Sequence, residues 1–279
     1  MSWKIRIAPS LGDGFAGTPY EAWGVEEYEG DRDDPTVFMG LYGLPDFYTL
    51  WRHKGRKCIL WCGSDIQHFL NGYHLDPEGK IRIHPIQLSS WIDTYCESYV
   101  ENEVEQQALR TVGIRSKVVP SFLGNVNDYA VEYIWSNKPK VYTSVSGNDF
   151  KLYGWDKIPQ LAKDNPNIEF HLYGNLYPFS LVNKAEHPNV IEHGRVSQEQ
   201  MDKECKQMQA CLRLTEFDGF SEIIAKALLW GQYAFSIIDY HSTRPPIQIH
   251  MLKILTEPNL KGRDWLLSVV NKFPWNTKS

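Results

Sequence analysis

Short apolar runs alternate with amphipathic stretches along the whole chain. In the first half, this pattern predicts strands at residues 3–8, 35–39, 57–62, 81–85 and 91–100. Helices are predicted over residues 46–53 and 101–112, the second of them ending at Gly113. Residues 18–23 are expected to delay any helix after the first strand.

The alternation begins again after an aperiodic connection at residues 121–139. Strands are predicted at residues 140–145, 168–173, 189–192, 211–215 and 233–238, and helices at residues 155–164, 198–209, 221–230 and 263–273. Strands that alternate with helices favour a parallel sheet flanked by helices. The chain is therefore expected to be an α/β protein, and its 279 residues favour two domains.

Composition narrows the class of function. The net charge is −5, so a nucleic acid or an anionic membrane is disfavoured as the main partner. The 5 cysteines are scattered in the sequence, which argues against a disulfide framework or a structural zinc site. No apolar run approaches the roughly 20 residues of a membrane span, so the expected location is the cytoplasm.

The segment most informative about chemistry is residues 211–231, a strand, a short turn and a helix. The turn is centred on Asp218, Gly219 and Phe220, and Ser221 is placed to cap the helix. Amide groups at a helix start have no partner within the helix and attract anions. An ordinary strand-to-helix connection is the alternative interpretation.

This segment resembles the signature of the retaining GT-B glycosyltransferases of glycosyltransferase family 4. The signature is a strand, then Glu-Gly-Phe-Gly, four residues, and a second glutamate. Asp218 takes the first acidic position, Gly219 and Phe220 match, Ser221 replaces the second glycine, and Lys226 stands where the second glutamate belongs.

The resemblance implies two Rossmann-like domains that face a cleft. Residues 1–120 would bind the acceptor, residues 121–262 would bind the donor, and a C-terminal helix in residues 263–279 would cross back to the first domain. The implied reaction transfers a sugar from a nucleoside-diphosphate sugar to a hydroxyl acceptor, with retention at the anomeric carbon. The acceptor stays open between a glycan, a lipid-linked sugar, a small molecule and a modified nucleobase. No metal or other cofactor is expected.

The resemblance also implies roles for individual residues. Asp218 would position the transferred sugar, and Asp65, in a loop that looks like the acceptor-side loop, is a second catalytic candidate. The candidates for binding the donor are Gly219, Phe220, Ser221, Lys151, Arg195, Lys226, Gly14 and Gly174. Lys226 offers only hydrogen-bond donors, so it cannot replace the family glutamate that contacts the ribose. Lys226 would either bind a donor group or pair with Glu222 on the same helix face, and the second is favoured.

Three alternatives stay open. Gly12, Gly14 and Gly17 match the glycine spacing of dinucleotide-binding folds, which would indicate an oxidoreductase, although one such match is a weak signal. A non-catalytic nucleotide- or sugar-binding protein on the same fold is the other functional alternative, because Lys226 replaces an acid. Asp65 could also be only the N-cap of a helix that begins at Ile66.

Overall fold

A computed structural model describes residues 2–11, 18–76, 78–145, 147–175 and 187–278. The chain forms two compact units. Unit 1 contains Met1–Asn125, Phe217–Phe220 and Val269–Ser279, and unit 2 contains Val126–Glu216 and Ser221–Ser268. Gly14, a predicted donor-binding residue, and the other two glycines of its motif lie outside the described residues.

Unit 1 is built on a parallel sheet with the strand order β2-β1-β3-β4-β7-β8. Its strands are β1 Lys4–Ile7, β2 Glu26–Glu27, β3 Thr36–Met39, β4 Lys57–Leu60, β7 Glu97–Val100 and β8 Ser116–Val118, and β5 Tyr73–His74 pairs antiparallel with β6 Arg82–Ile83. The helices are α1 Thr18–Trp23, α2 Leu44–Arg52, α3 Ser64–Leu70, α4 Pro85–Tyr95 and α5 Glu103–Arg110. Buried aliphatic and aromatic side chains fill the space between sheet and helices.

Unit 2 has a parallel sheet with the strand order β11-β10-β9-β12-β13. Its strands are β9 Lys140–Ser144, β10 Glu169–Tyr173, β11 Val190–Gly194, β12 Ala210–Arg213 and β13 Tyr233–Ser236. Its helices are α6 Ile158–Asp164, α7 Gln198–Cys205, α8 Glu222–Leu229 and α9 Leu260–Val269, and 3-10 turns lie at Trp155–Lys157 and Pro246–Lys253. The chain adds β10 and β11 on one side of β9 and then returns to add β12 on the other. This reversal beside β9 is where open α/β sheets place their ligands.

The C-terminal segment completes the core of unit 1. Trp275 is fully buried, and its ring packs edge-on against Tyr99 with the centroids 4.9 Å apart. Phe273 lies against Trp23 at 5.5 Å between centroids. Aromatic pairs of this kind contribute about 0.5–1.5 kcal/mol each beyond the area they bury. Residues 269–279 are therefore an integral part of unit 1.

The alternation of strands and helices confirms the α/β class with parallel sheets, but two predicted elements are wrong. Residues 91–95 belong to helix α4 and not to a strand, because His84 and Gln87 form a capping box and Pro85 begins the helix. Thr18–Trp23 form helix α1, although they were expected to delay one. At α4 the capping signal at the helix start decides over the local apolar pattern.

Candidate functional site

Two adjoining cavities lie in unit 2 beside the ends of β9 and β10. The first, here called the Trp230 cavity, has a volume of about 150 Å³ and is lined by Tyr142, Ser144, Gln198, Met201, Asp202, Cys205, Glu222, Ile223, Lys226 and Trp230. The second, here called the Gly174 cavity, has a volume of about 210 Å³ and is lined by Ser144, Val145, Gly147, Tyr173, Gly174, Asn175, Arg195, Val196, Gln198 and Met201. The two share Ser144, Gln198 and Met201, so one extended ligand can occupy both.

The Gly174 cavity has the features of an anion site. Gly174 has φ +138°, and a Cβ there would meet the carbonyl oxygen of Val145 at 2.7 Å, so only glycine fits this strand end. Arg195 brings a guanidinium group to the rim. Helix α7 starts beside it, capped by Ser197, whose hydroxyl accepts a hydrogen bond from the Gln200 N–H at 3.2 Å. The cavity therefore combines an arginine at its lining, close backbone and a helix N-terminus.

A polar network holds one wall of the Gly174 cavity in place. The Tyr173 hydroxyl donates to Glu204 at 2.6 Å, and the Tyr173 ring stacks on His193 with the centroids 4.3 Å apart. His193 and His171 share a ring-nitrogen hydrogen bond of 2.8 Å. Burial and then the neighbouring His193 lower the pKa of His171 to about 4, so His171 is neutral at physiological pH, and burial also lowers the pKa of His193. The end of β10 is thus fixed before any ligand arrives.

The Trp230 cavity contains a buried ion pair. Lys226 is 5% exposed, and its Nζ lies 3.0 Å from both carboxylate oxygens of Asp202. The expected pair with Glu222 is also present, at 3.5 Å. Asp202 was missed by sequence reasoning because it lies 24 residues upstream, on α7, and no local spacing connects it to α8. The carboxylates of Asp202 and Glu222 make this cavity a site for groups that donate hydrogen bonds.

Lys226→Glu is expected to destabilise unit 2, although it restores the acid found at this position in family 4. The new carboxylate would be buried against Asp202 with no cation left, which should cost about 3 kcal/mol of unfolding free energy. Urea unfolding of the single variant and of the exchanged pair Asp202→Lys with Lys226→Glu measures this. We expect the double variant to regain most of the unfolding free energy that Lys226→Glu loses. If Lys226→Glu alone were as stable as wild type, the pairing of Lys226 with Asp202 would be contradicted.

The turn that carries Asp218 belongs to unit 1. The Phe220 N–H donates to Glu101 Oε2 at 2.9 Å, and the Asn102 side-chain amide donates to the Asp218 carbonyl oxygen at 2.7 Å. Ser221 is the N-cap of α8, as predicted, but its side chain makes no capping hydrogen bond. The Phe220 amide, one of those expected to bind an anion, therefore already binds a carboxylate of the protein.

Asp65 is completely buried in unit 1. Its Oδ2 accepts a hydrogen bond from the Leu41 N–H and its Oδ1 from the Cys62 N–H, each at 2.9 Å. Desolvation raises the pKa of Asp65 to about 6, against the lowering effect of these N–H donors. Asp65 is not an N-cap, because α3 begins one residue earlier and is capped by Gly63. A catalytic role for Asp65 stays a prediction and would require one of the two hydrogen bonds to be given up.

Two further carboxylates lie beside Asp218 that sequence reasoning did not single out. Burial raises the pKa of Glu101 to about 7, and the charge of Asp218 contributes to that rise. Burial, followed by the neighbouring Glu101, raises the pKa of Glu105 well above its usual range. Unit 1 therefore concentrates carboxyl groups that resist ionisation around the turn.

The structure groups some predicted residues and separates others. Arg195 and Gly174 line one cavity and Lys226 the other. Asp218, Gly219 and Phe220 lie in unit 1. Lys151 is exposed and lines neither cavity.

Among the described residues, no group of three or more His, Cys, Asp or Glu side chains is arranged to hold a metal ion. No helix within the same residues has the length and apolarity to cross a membrane.

Comparison with known proteins identifies the fold. No protein-family model matches the chain, and no curated protein matches its sequence. Among solved structures, TarM is 11% identical with a TM-score of 0.53, and the match covers 86% of this chain and 52% of TarM. Sucrose-phosphate synthase from Thermosynechococcus elongatus is 11% identical with a TM-score of 0.56, over 84% of this chain and 69% of the synthase.

A third similar structure has nearly the length of this chain. It is HepE from Anabaena in complex with UDP, 12% identical with a TM-score of 0.52, covering 96% of this chain and 94% of HepE. By contrast, the chain spans about half the length of TarM. These solved structures are GT-B glycosyltransferases, and the chain has their fold of two Rossmann-like domains.

Proposed function

We propose that this protein transfers a sugar from a nucleoside-diphosphate sugar to a hydroxyl acceptor. The observation that carries the proposal is the pair of adjoining cavities in unit 2, at the strand ends where sheets of this kind bind ligands. The Gly174 cavity provides Arg195 and backbone groups, and the Trp230 cavity provides the carboxylates of Asp202 and Glu222. A nucleotide has the complementary groups, phosphates at one point and ribose hydroxyls at another. The HepE structure contains UDP, which supports this class of ligand.

In the proposed reaction, the bond between the anomeric carbon and the diphosphate oxygen breaks, and the acceptor hydroxyl oxygen bonds to the anomeric carbon. The leaving diphosphate gains negative charge and takes up the hydroxyl proton. Fixed cations and amides aimed at that charge lower the barrier. We assign this role to Arg195 and to the start of α7, and keep Lys151 as an additional candidate on its exposed loop. Asp218 is proposed to hold the transferred sugar. Retention at the anomeric carbon is proposed because of the resemblance to family 4.

The donor is identified by thermal unfolding against a panel of nucleoside diphosphates, nucleotide-sugars and NAD(P)H. A ligand at one hundred times its dissociation constant stabilises the fold by about 2.7 kcal/mol. We expect a shift with one nucleoside diphosphate and its sugar, and slow release of that diphosphate from the sugar. The assay is repeated with EDTA, and unchanged release is expected because the proposed reaction uses no metal.

The other outcomes of this panel have definite meanings. A shift without release in the presence of candidate acceptors would favour a non-catalytic binding protein. A shift with NAD(P)H alone would contradict the proposal and favour an oxidoreductase. Gln198→Trp places a large ring where both cavities meet, so it should reduce the shift to half or less, whereas Gln200→Trp, on the same exposed helix start but lining neither cavity, should leave it unchanged.

A further inference from the structure

The turn that carries Asp218 packs closely against the backbone and side chains of unit 1. A Cβ on Gly219 would overlap the carboxylate of Glu101, and a Cβ on Gly63 would lie 3.1 Å from the Gly219 nitrogen. Gly63 also has φ +80°, which glycine adopts without strain. The turn therefore needs glycine on both sides of this contact, and the contact brings its amide groups within reach of unit 1 side chains.

Asn102 performs two functions at this place. It is the N-cap of α5, where its Oδ1 accepts a hydrogen bond from the Glu105 N–H at 3.0 Å. Its Nδ2 donates to the carbonyl oxygen of Asp218 at 2.7 Å. Serine, threonine or aspartate would also cap the helix, but ionised aspartate has no donor, and a shorter hydroxyl would have to make both hydrogen bonds through one oxygen, whereas Asn102 uses separate Oδ1 and Nδ2 atoms. Asn102 is 2% exposed, so water does not readily replace either hydrogen bond.

Glu101 holds the other side of the turn. Its Oε2 accepts from the Phe220 N–H at 2.9 Å, and its Oε1 pairs with the Ser121 hydroxyl. The Glu101 N–H in turn donates to Glu105 Oε2 at 2.8 Å, which fixes the backbone at the end of β7. The backbone of the turn is therefore held on both sides of Gly219.

We infer that Glu101 and Asn102 are positioning residues that fix the backbone of the turn, and with it the place of Asp218. The consequence for turnover rests on the proposed function, whereas the fixing of the turn does not. The Phe220 N–H donates to Glu101 and is not available to bind the diphosphate. The turn therefore orients Asp218, and the cavities of unit 2 bind the diphosphate.

Amide hydrogen exchange of residues 218–220 tests the fixing without any ligand. Glu101→Ala and Asn102→Ser each remove one side of the support, and serine preserves the helix cap. We expect the Phe220 amide, which donates to Glu101, to exchange about five times faster in Glu101→Ala, the factor that one lost hydrogen bond of about 1 kcal/mol gives, and the amides of the turn to exchange faster in Asn102→Ser as well. Glu101→Gln should stay near wild type, because its carbonyl can still accept from Phe220 and its amide can donate to Ser121. Glu103→Ala, an exposed acid in the first turn of α5, is the control.

Turnover and binding are then measured with UDP-glucose as the probe, or with the nucleotide-sugar that the panel selects. In Asn102→Ser we expect the rate of hydrolysis at saturating donor to fall about tenfold, while the donor Kd stays unchanged. A general loss of structure would change the donor Kd as well. Unchanged exchange in both support variants would overturn the inference. Tighter nucleotide binding by Glu101→Ala would also overturn it, since Glu101 would then compete with the donor. If wild type binds and hydrolyses no nucleotide-sugar, the proposed function fails, and the exchange result alone decides the fixing of the turn.

Discussion

Asp218→Ala is expected to reduce sugar transfer by at least about 10²-fold, the usual effect of removing a group that stabilises a transition state. The side chain is the only part of the turn that the variant changes, because the support from Asn102 reaches the Asp218 carbonyl oxygen and the support from Glu101 reaches the Phe220 N–H. The fold is therefore expected to stay intact. Steady-state rates of diphosphate release, with the melting temperature measured in parallel, give both readouts.

The control for this prediction is Glu216→Gln, two residues earlier in the chain. Glu216 is an acid whose side chain is 77% exposed and pairs with Lys157 at 2.8 Å, an arrangement worth little for stability. Glu216→Gln should therefore leave turnover unchanged. Wild-type turnover in Asp218→Ala would remove Asp218 from the reaction, and equal losses in both variants would indicate a non-specific effect of charge.

Asp65 is expected to make unit 1 less stable as the pH rises. Burial raises its pKa from 3.8 to about 6 in the fold, so folding favours the protonated carboxyl. The stability that Asp65 contributes is fully present below pH 4 and is lost as the pH rises through 6. A shift of about two pKa units corresponds to about 3 kcal/mol.

Asp65→Asn does not titrate. Its amide nitrogen cannot accept from the Leu41 or the Cys62 N–H, which costs stability by an amount that does not change with pH, so the pH dependence of the difference measures the contribution of Asp65. As the pH rises from 4 to 8, wild type should lose up to about 3 kcal/mol of unfolding free energy relative to Asp65→Asn. Comparing the two proteins at each pH cancels the titration of His171, whose lowered pKa acts with the opposite sign in unit 2. If the difference in unfolding free energy stayed constant with pH, or if wild type gained stability relative to the variant, the desolvated environment assigned to Asp65 would be contradicted.

Much of the fold could be predicted from the sequence because its signals are local. The apolar runs that form β3, β4, β9, β10, β12 and β13 are each bounded by turn residues, and the alternation with helices indicates a parallel sheet. Ser221 was recognisable as the N-cap of α8 for the same reason. The error at α4 arose where a capping signal and an apolar pattern competed within a few residues.

The sites depend on contacts between distant parts of the chain, and no local spacing reveals them. Asp202 meets Lys226 from another helix, and Glu101 meets Phe220 across 119 positions of the sequence. A carboxylate that caps a turn and one that binds a substrate look the same in a sequence. The resemblance to family 4 led to the turn and to Lys226, because both lie inside a motif. It gave no information about their partners in this chain.

The two adjoining cavities of unit 2 are proposed to bind the nucleotide of a sugar donor. The dissociation constant of UDP, or of the nucleoside diphosphate that the panel selects, is measured by titration calorimetry for wild type, Gln198→Trp and Gln200→Trp. We expect UDP to bind wild type and Gln200→Trp with similar affinity, and Gln198→Trp at least ten times more weakly. Equal affinity in all three proteins would place the nucleotide elsewhere, and no binding of any nucleoside diphosphate to wild type would contradict the proposed function.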